Sequence, residues 1–91
     1  MYTSSFRNQF KRDFKRCGKR GLKLKELEKI MRFILEGEVL PPKCKPHPLT
    51  GSYVDCMECH IKPDWLLVYI VDEEAKHVDF IRTGTHSDLF E

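Results

Sequence analysis

A chain of 91 residues, 41% hydrophobic and 33% charged, has material for one domain with a modest core, and is too apolar for a disordered segment. Its net charge of +2 sets no overall bias toward a polyanion. No apolar run approaches the length of a membrane helix, and no apolar stretch follows the basic start as a signal peptide requires. Residues 1–91 therefore read as one cytoplasmic domain with no membrane partner.

The small net charge hides an asymmetry. Residues 1–46 carry 13 Lys and Arg against 5 Asp and Glu, a net +8, and residues 47–91 carry 3 against 9, a net −6. A basic half suits a polyanion or an acidic partner. The plainer reading is two helices with wetted outer faces, and it weakens because almost every charge in residues 7–20 is positive.

Phe6, Phe10 and Phe14 recur every four residues, with Cys17 three further on, which predicts one helical stripe facing a core. Ser4 or Ser5 is the expected cap for its first free amides. Gly18 and Gly21 break the helix. Leu24, Leu27, Ile30, Met31, Ile34 and Leu35 predict a second amphipathic helix, ended at Gly37. The short connection favours an antiparallel helix pair. Pro41, Pro42, Pro46 and Pro48 then hold an extended linker.

From Ser52 the period becomes that of strands. Residues 53–61 form one candidate. Residues 65–71 (WLLVYIV) are nearly all apolar, as in a central strand covered on both faces. Residues 78–83 (VDFIRT) form the third, with Val78 and Phe80 on one face and Asp79 and Ile81 on the other. Residues 87–91 predict a final helical turn. The fold class is α+β: an N-terminal antiparallel helix pair packed on an antiparallel sheet of three to four strands, with a short C-terminal helix.

Three histidines sit at the ends of these elements. His60 precedes the turn of residues 62–64, Asp64 ends it and Trp65 follows it, His47 lies in HPLTG, and Arg82 and His86 lie in RTGTH. RNA carries its own nucleophile, the ribose 2′-hydroxyl. Cutting it takes a base, an acid for the leaving 5′-oxygen, and positive charge at the phosphate. Imidazole titrates near neutrality and fits both proton roles. A carboxylate acts as base or orients a histidine, Arg grips phosphate oxygens, and an aromatic ring stacks a base. On this reading Asp64 or His60 is the general base, His86 the general acid, Arg82 the phosphate ligand, His47 a support and Trp65 a stacking ring. Each residue also has a structural reading. Trp65 suits the core as well as a base, Asp64 suits a turn after Pro63, and either histidine suits a strand end or loop.

A zinc reading would use Cys44 and His47 with Cys56 and Cys59. Two features oppose it: a separation of three within a strand sends Cys56 and Cys59 to opposite faces, and DCMEC has no Gly or Pro for a tight knuckle.

HPLTG, ECHIKPDWLLVY and RTGTHSDLF together resemble the YafQ branch of the RelE superfamily, toxins of bacterial toxin–antitoxin pairs. The resemblance covers most of the chain. It implies a microbial-RNase-like fold and a ribosome-dependent mRNA endonuclease that needs no cofactor and no metal. It implies site residues His47, His60, Asp64, Trp65, His86 and Phe90, with Trp65 and Phe90 positioning the RNA. The implied partners are a RelB/DinJ-type antitoxin, the ribosome and mRNA, with operator DNA reached only through the antitoxin complex. Three departures stand out. Only Met1 precedes Tyr2, where relatives have a whole edge strand; Tyr53 stands where relatives often have Trp; and Cys56-Met57 stands where many have Tyr-Arg. The last leaves Arg82 as the nearest phosphate ligand. It motivates the alternative of a catalytically weakened toxin that acts mainly as an antitoxin-binding corepressor.

Overall fold

The computed structural model describes residues 1–90. The elements in chain order are β1 (Thr3–Phe6), α1 (Asn8–Lys19), α2 (Leu24–Leu35), β2 (His47–Pro48), β3 (Met57–Lys62), β4 (Trp65–Asp72), β5 (His77–Gly84) and α3 (His86–Phe90). The five strands make one sheet in the order β1-β5-β4-β3-β2. β1 pairs parallel with β5, and every other pairing is antiparallel.

The sheet is therefore mixed and five-stranded, not an antiparallel sheet of three or four. The difference lies at the N-terminus. Residues 3–6 form an edge strand beside residues 77–80, so Ser4 and Ser5 are strand residues, and α1 starts after Arg7 with no side-chain cap. Phe6 leaves the helical stripe as well. Its ring stacks on Phe80 at a centroid distance of 5.5 Å and lies 5.7 Å from Phe10. Periodicity counts Phe6 into the helix because strand and helix present their aromatics to the same core. The edge strand expected to be truncated or nearly absent is present as residues 3–6.

The helices follow their apolar periods. Phe10 and Cys17 of α1 and Leu27, Ile30, Met31 and Ile34 of α2 are buried. They pack on one face of the sheet with Cys59, Trp65, Leu67, Tyr69, Val78 and Phe80. Gly37 ends α2 at φ +71°, a conformation that suits glycine. The Gly37 and Glu38 amides donate back to the Ile34 and Phe33 carbonyls.

The opposite face carries a second cluster of Cys56, Leu66, Val68 and Leu89, with Leu49, Tyr53, Ile70 and Ile81 against it. β4 is thus covered on both faces, which explains its unbroken apolar run. β3 starts later than expected, at Met57, because residues 51–53 form a tight 3-10 turn and Asp55 takes φ +75°. Val68 faces Arg82 while Tyr69 faces Phe80, so Ile81 is an extra residue in β5, a bulge that re-aims the side chains beyond it. Among the described residues no helix is long and apolar enough to cross a membrane.

Candidate active site: a row of imidazoles between two carboxylates

β2 is only two residues long, yet it fixes His47. Pro46 and Pro48 keep the segment extended, and His47 lies directly opposite Glu58 of β3. Lys45 adopts a left-handed backbone at φ +46°, and its carbonyl accepts a hydrogen bond from His47 Nδ1 at 2.8 Å. A carbonyl only accepts, so Nδ1 holds the proton and Nε2 faces Glu58 Oε1 at 3.2 Å. That contact is a hydrogen bond only when a second proton lies between imidazole and carboxylate. Glu58 is 4% exposed, so the imidazole edge faces a buried carboxylate.

The second carboxylate–histidine pair lies at the other end. The turn between β3 and β4 presents Asp64, whose Oδ1 accepts from His86 Nδ1 at 2.7 Å and from the His86 backbone amide at 3.1 Å. The side-chain hydrogen bond from His86, with the amide adding to it, holds the Asp64 carboxyl below its ordinary range. Nδ1 of His86 is thereby committed, and Nε2 is the nitrogen free to meet a substrate.

His60 stands between the two pairs. Its ring centroid is 6.4 Å from that of His47 and 6.1 Å from that of His86. Among the described residues no carboxylate lies within ion-pair distance of His60. Phe90 closes the row, 6.3 Å from His86 and edge-on to Tyr53 at 5.6 Å. His86 and Phe90 are four apart on α3 and so share a face.

α3 is a single short turn, and its start is held on all sides. The Thr85 amide donates to Asp88 Oδ2 at 2.9 Å, and the Asp88 amide donates to Thr85 Oγ1 at 3.1 Å, a reciprocal capping arrangement. Arg20 grips both Asp88 oxygens at 2.6 and 3.1 Å. Gly84 leaves room for this: a Cβ there would sit 2.7 Å from Asp88 Oδ2.

His47, His60, Asp64, His86 and Phe90 therefore converge. Trp65 and Arg82 do not join them. Trp65 is 2% exposed and packs on the helix side of the sheet. Its indole N–H donates to Thr83 Oγ1 at 3.0 Å, and that hydroxyl donates to the Leu66 carbonyl at 2.8 Å. A ring in this position has no face to offer a base, so the stacking role gives way to a core role. Arg82 donates from Nε and Nη2 to Asp13 at 2.7 and 3.2 Å. Its guanidinium is engaged with a wholly buried carboxylate rather than open to a phosphate.

Sequence reasoning misses both buried carboxylates. Asp13 is hidden among the basic residues of α1, and its being the lone acid in residues 7–20 is the one hint of it. Glu58 passes as one letter of the ECH block, and nothing in its sequence position signals its burial. The four cysteines are free and buried. Cys56 and Cys59 lie in the clusters on opposite faces of the sheet, and burial pushes the Cys59 thiol up to about 12. Among the described residues no group of three or more His, Cys, Asp or Glu is placed to hold a metal ion.

Comparison with known proteins identifies this architecture. The family model described as a bacterial toxin of type II toxin–antitoxin system, YafQ, matches residues 2–91. The mRNA interferase toxin YafQ of Escherichia coli K12 is 35% identical over 86 residues, covering 93% of this chain and 91% of that protein. A metal-bound toxin from Helicobacter pylori is 40% identical, with a TM-score of 0.92 over 99% of this chain and 100% of that one. YafQ in the E. coli DinJ–YafQ complex is 33% identical, with a TM-score of 0.91 over 100% of both chains. The chain belongs to the YafQ family of toxins from bacterial type II toxin–antitoxin systems.

Proposed function

We propose that this protein is an mRNA endonuclease that cuts on the ribosome by internal attack of the ribose 2′-hydroxyl. The observation that carries the reading is the row of three imidazoles with a carboxylate-bound histidine at each end. His60, the ring without a carboxylate, takes the proton of the 2′-hydroxyl. O2′ then bonds to phosphorus, the bond from phosphorus to O5′ breaks, and His86 Nε2 delivers a proton to O5′. The products are a 2′,3′-cyclic phosphate and a 5′-hydroxyl. Asp64 orients His86 and balances its positive charge, so the base role falls to His60 rather than Asp64. His47 closes the far end of the row and supports the phosphate by turning Nε2 from Glu58 to a phosphate oxygen. Phe90, 44% exposed, packs against a base.

The E. coli relative is found in complex with DinJ. A small antitoxin of that kind is the expected partner, covering the basic N-terminal half, and operator DNA is reached only through the joint complex.

The engagement of Arg82 by Asp13 favours a second reading, a weakened toxin that acts as an antitoxin-binding corepressor. Induction in bacteria of the wild-type chain and of His86→Ala, with mRNA 5′ ends mapped afterwards, separates them. Cuts at fixed codon positions in translated frames, seen only with wild type, support the endonuclease. No arrest and no cuts from the folded wild-type protein would leave the corepressor.

A further inference from the structure

The row of histidines opens at His60 onto a groove that neither the resemblance nor the expected site includes. A cavity of about 380 Å³ is lined by His60, Ile61, Pro63 and three lysines, Lys43, Lys45 and Lys62. It continues into a second cavity of about 210 Å³, which shares Lys43, Ile61 and Lys62 and adds Lys29 with Ile30, Phe33 and Pro41. Four ammonium groups thus border a path whose floor is apolar. Its acidic member, Glu26, is paired with Lys62 at 3.1 Å.

We infer that this groove carries the single-stranded RNA next to the scissile phosphate. Lys43, Lys45 and Lys62 bind the backbone phosphates of the flanking nucleotide, and Ile61 and Pro63 pack against its sugar or base. The inference rests on the reading of the histidine row as an RNA-cutting site and names the cations that hold its substrate. Three observations carry it. The groove is continuous with the site, because His60 is a wall of both. The anticipated arginine is consumed by Asp13 and Met57 brings no charge, so the positive charge bordering the histidines comes from these lysines. And the wall is cationic above an apolar floor, the combination that tracks a sugar-phosphate backbone while tolerating any base.

The geometry of the groove is partly built in. The left-handed Lys45 closes the short turn of residues 42–44 and also buttresses His47 through its carbonyl. One backbone kink therefore places both a phosphate ligand and a histidine. Lys62 is held in position by Glu26, so a phosphate must compete with that carboxylate for it.

The test uses the full chain and a short single-stranded RNA with 2′-O-methyl riboses, which lack the nucleophile and stay uncut. Binding is followed by fluorescence anisotropy over a range of salt concentrations. The double change Lys43→Ala with Lys45→Gln is expected to weaken binding and flatten the plot of log affinity against log salt by about 0.7 per lost lysine. Glu26→Gln is expected to act in the opposite direction, tightening binding by releasing Lys62. Lys76→Ala, which removes an exposed lysine beside Tyr2, is expected to leave the slope unchanged. An unaltered slope in the double variant, an equal loss in Lys76→Ala, or weaker binding in Glu26→Gln would overturn the inference.

Cleavage of mRNA on ribosomes is measured in parallel. Wild-type cutting with an unchanged KM in the double variant would overturn the groove and leave the endonuclease standing. Groove-dependent RNA binding without cutting by wild type would support the groove and remove the endonuclease.

Discussion

Asp13 and Arg82 are 69 residues apart in the chain and 2.7 Å apart in the fold. Asp13 is fully buried and also accepts from Arg16, Gln9 and the Thr83 amide. It ties α1 to the end of β5, where α3 and His86 begin. Removing one partner of such a pair strands the other's charge, which typically costs about 3–5 kcal/mol. Asp13→Ala is expected to lose stability on that scale through a lower urea midpoint, with the m-value unchanged. Its catalytic loss should follow unfolding rather than precede it. A variant as stable as wild type would show that the pair contributes nothing net.

Trp65 offers a clear separation of core from substrate roles. Trp65→Phe keeps most of the packing and loses the indole hydrogen bond to Thr83, a cost of about 0.5–1.5 kcal/mol. Trp65→Ala leaves a cavity and is expected to cost about 3–5 kcal/mol. Toxicity should survive in the Phe variant. The fluorescence of this single Trp should be blue-shifted, shielded from acrylamide and unmoved by added RNA. Quenching of its emission on RNA binding would return Trp65 to the substrate surface.

The His86–Asp64 pair is exposed, with side chains 55% and 66% accessible, so its removal is expected to affect chemistry rather than folding. His86→Ala should slow cleavage by roughly 10²–10⁴-fold, the usual contribution of a positioned proton donor. Asp64→Asn should keep the contact to the His86 amide but lose the charge that supports the imidazolium. Its deficit should therefore appear in kcat more than in KM. An Asp64→Asn protein with full kcat would refute the orienting role.

α3 should respond to acid through Asp88. The Arg20 guanidinium, helped by Thr85 and Arg16, holds the Asp88 carboxyl well below the usual carboxylate range. A depressed folded-state value stabilises the fold at pH above the unfolded value, near 4 for Asp. That stability drains away as pH falls below it toward the folded value. Urea midpoints measured from pH 7 down to pH 2 should fall less steeply for Asp88→Asn than for wild type. Parallel curves would show that Asp88 carries none of the acid sensitivity.

Gly84→Ala tests the same corner sterically, because the new methyl group meets Asp88 Oδ2 and Cβ. Loss of the cap should release His86 and Phe90 together. Cleavage is expected to fall while the Trp65 emission, which reports the opposite face of the sheet, stays at its native position. Full activity in Gly84→Ala would show that α3 tolerates the displacement of Asp88.

What the sequence determined by itself is whatever one segment settles alone. The apolar period of residues 24–35 with Gly37 behind it specified α2 and its end, because helix faces and stops are set within a few residues. The unbroken apolar run from Trp65 specified a strand covered twice. The placing of His47, His60 and His86 at element ends beside polar partners was enough to nominate the site.

Only the tertiary structure decided which distant groups meet. The parallel docking of residues 3–6 on β5 took Phe6 out of the helix. The bulge at Ile81 and the buried Asp13 set the Arg82 guanidinium against a carboxylate. The strand pairing of His47 with Glu58 joined a carboxylate to the site that its position in the chain did not announce. Periodicity reports which face of an element is apolar. It carries no information on register between segments tens of residues apart, and register decides whether an arginine meets a phosphate or a buried aspartate.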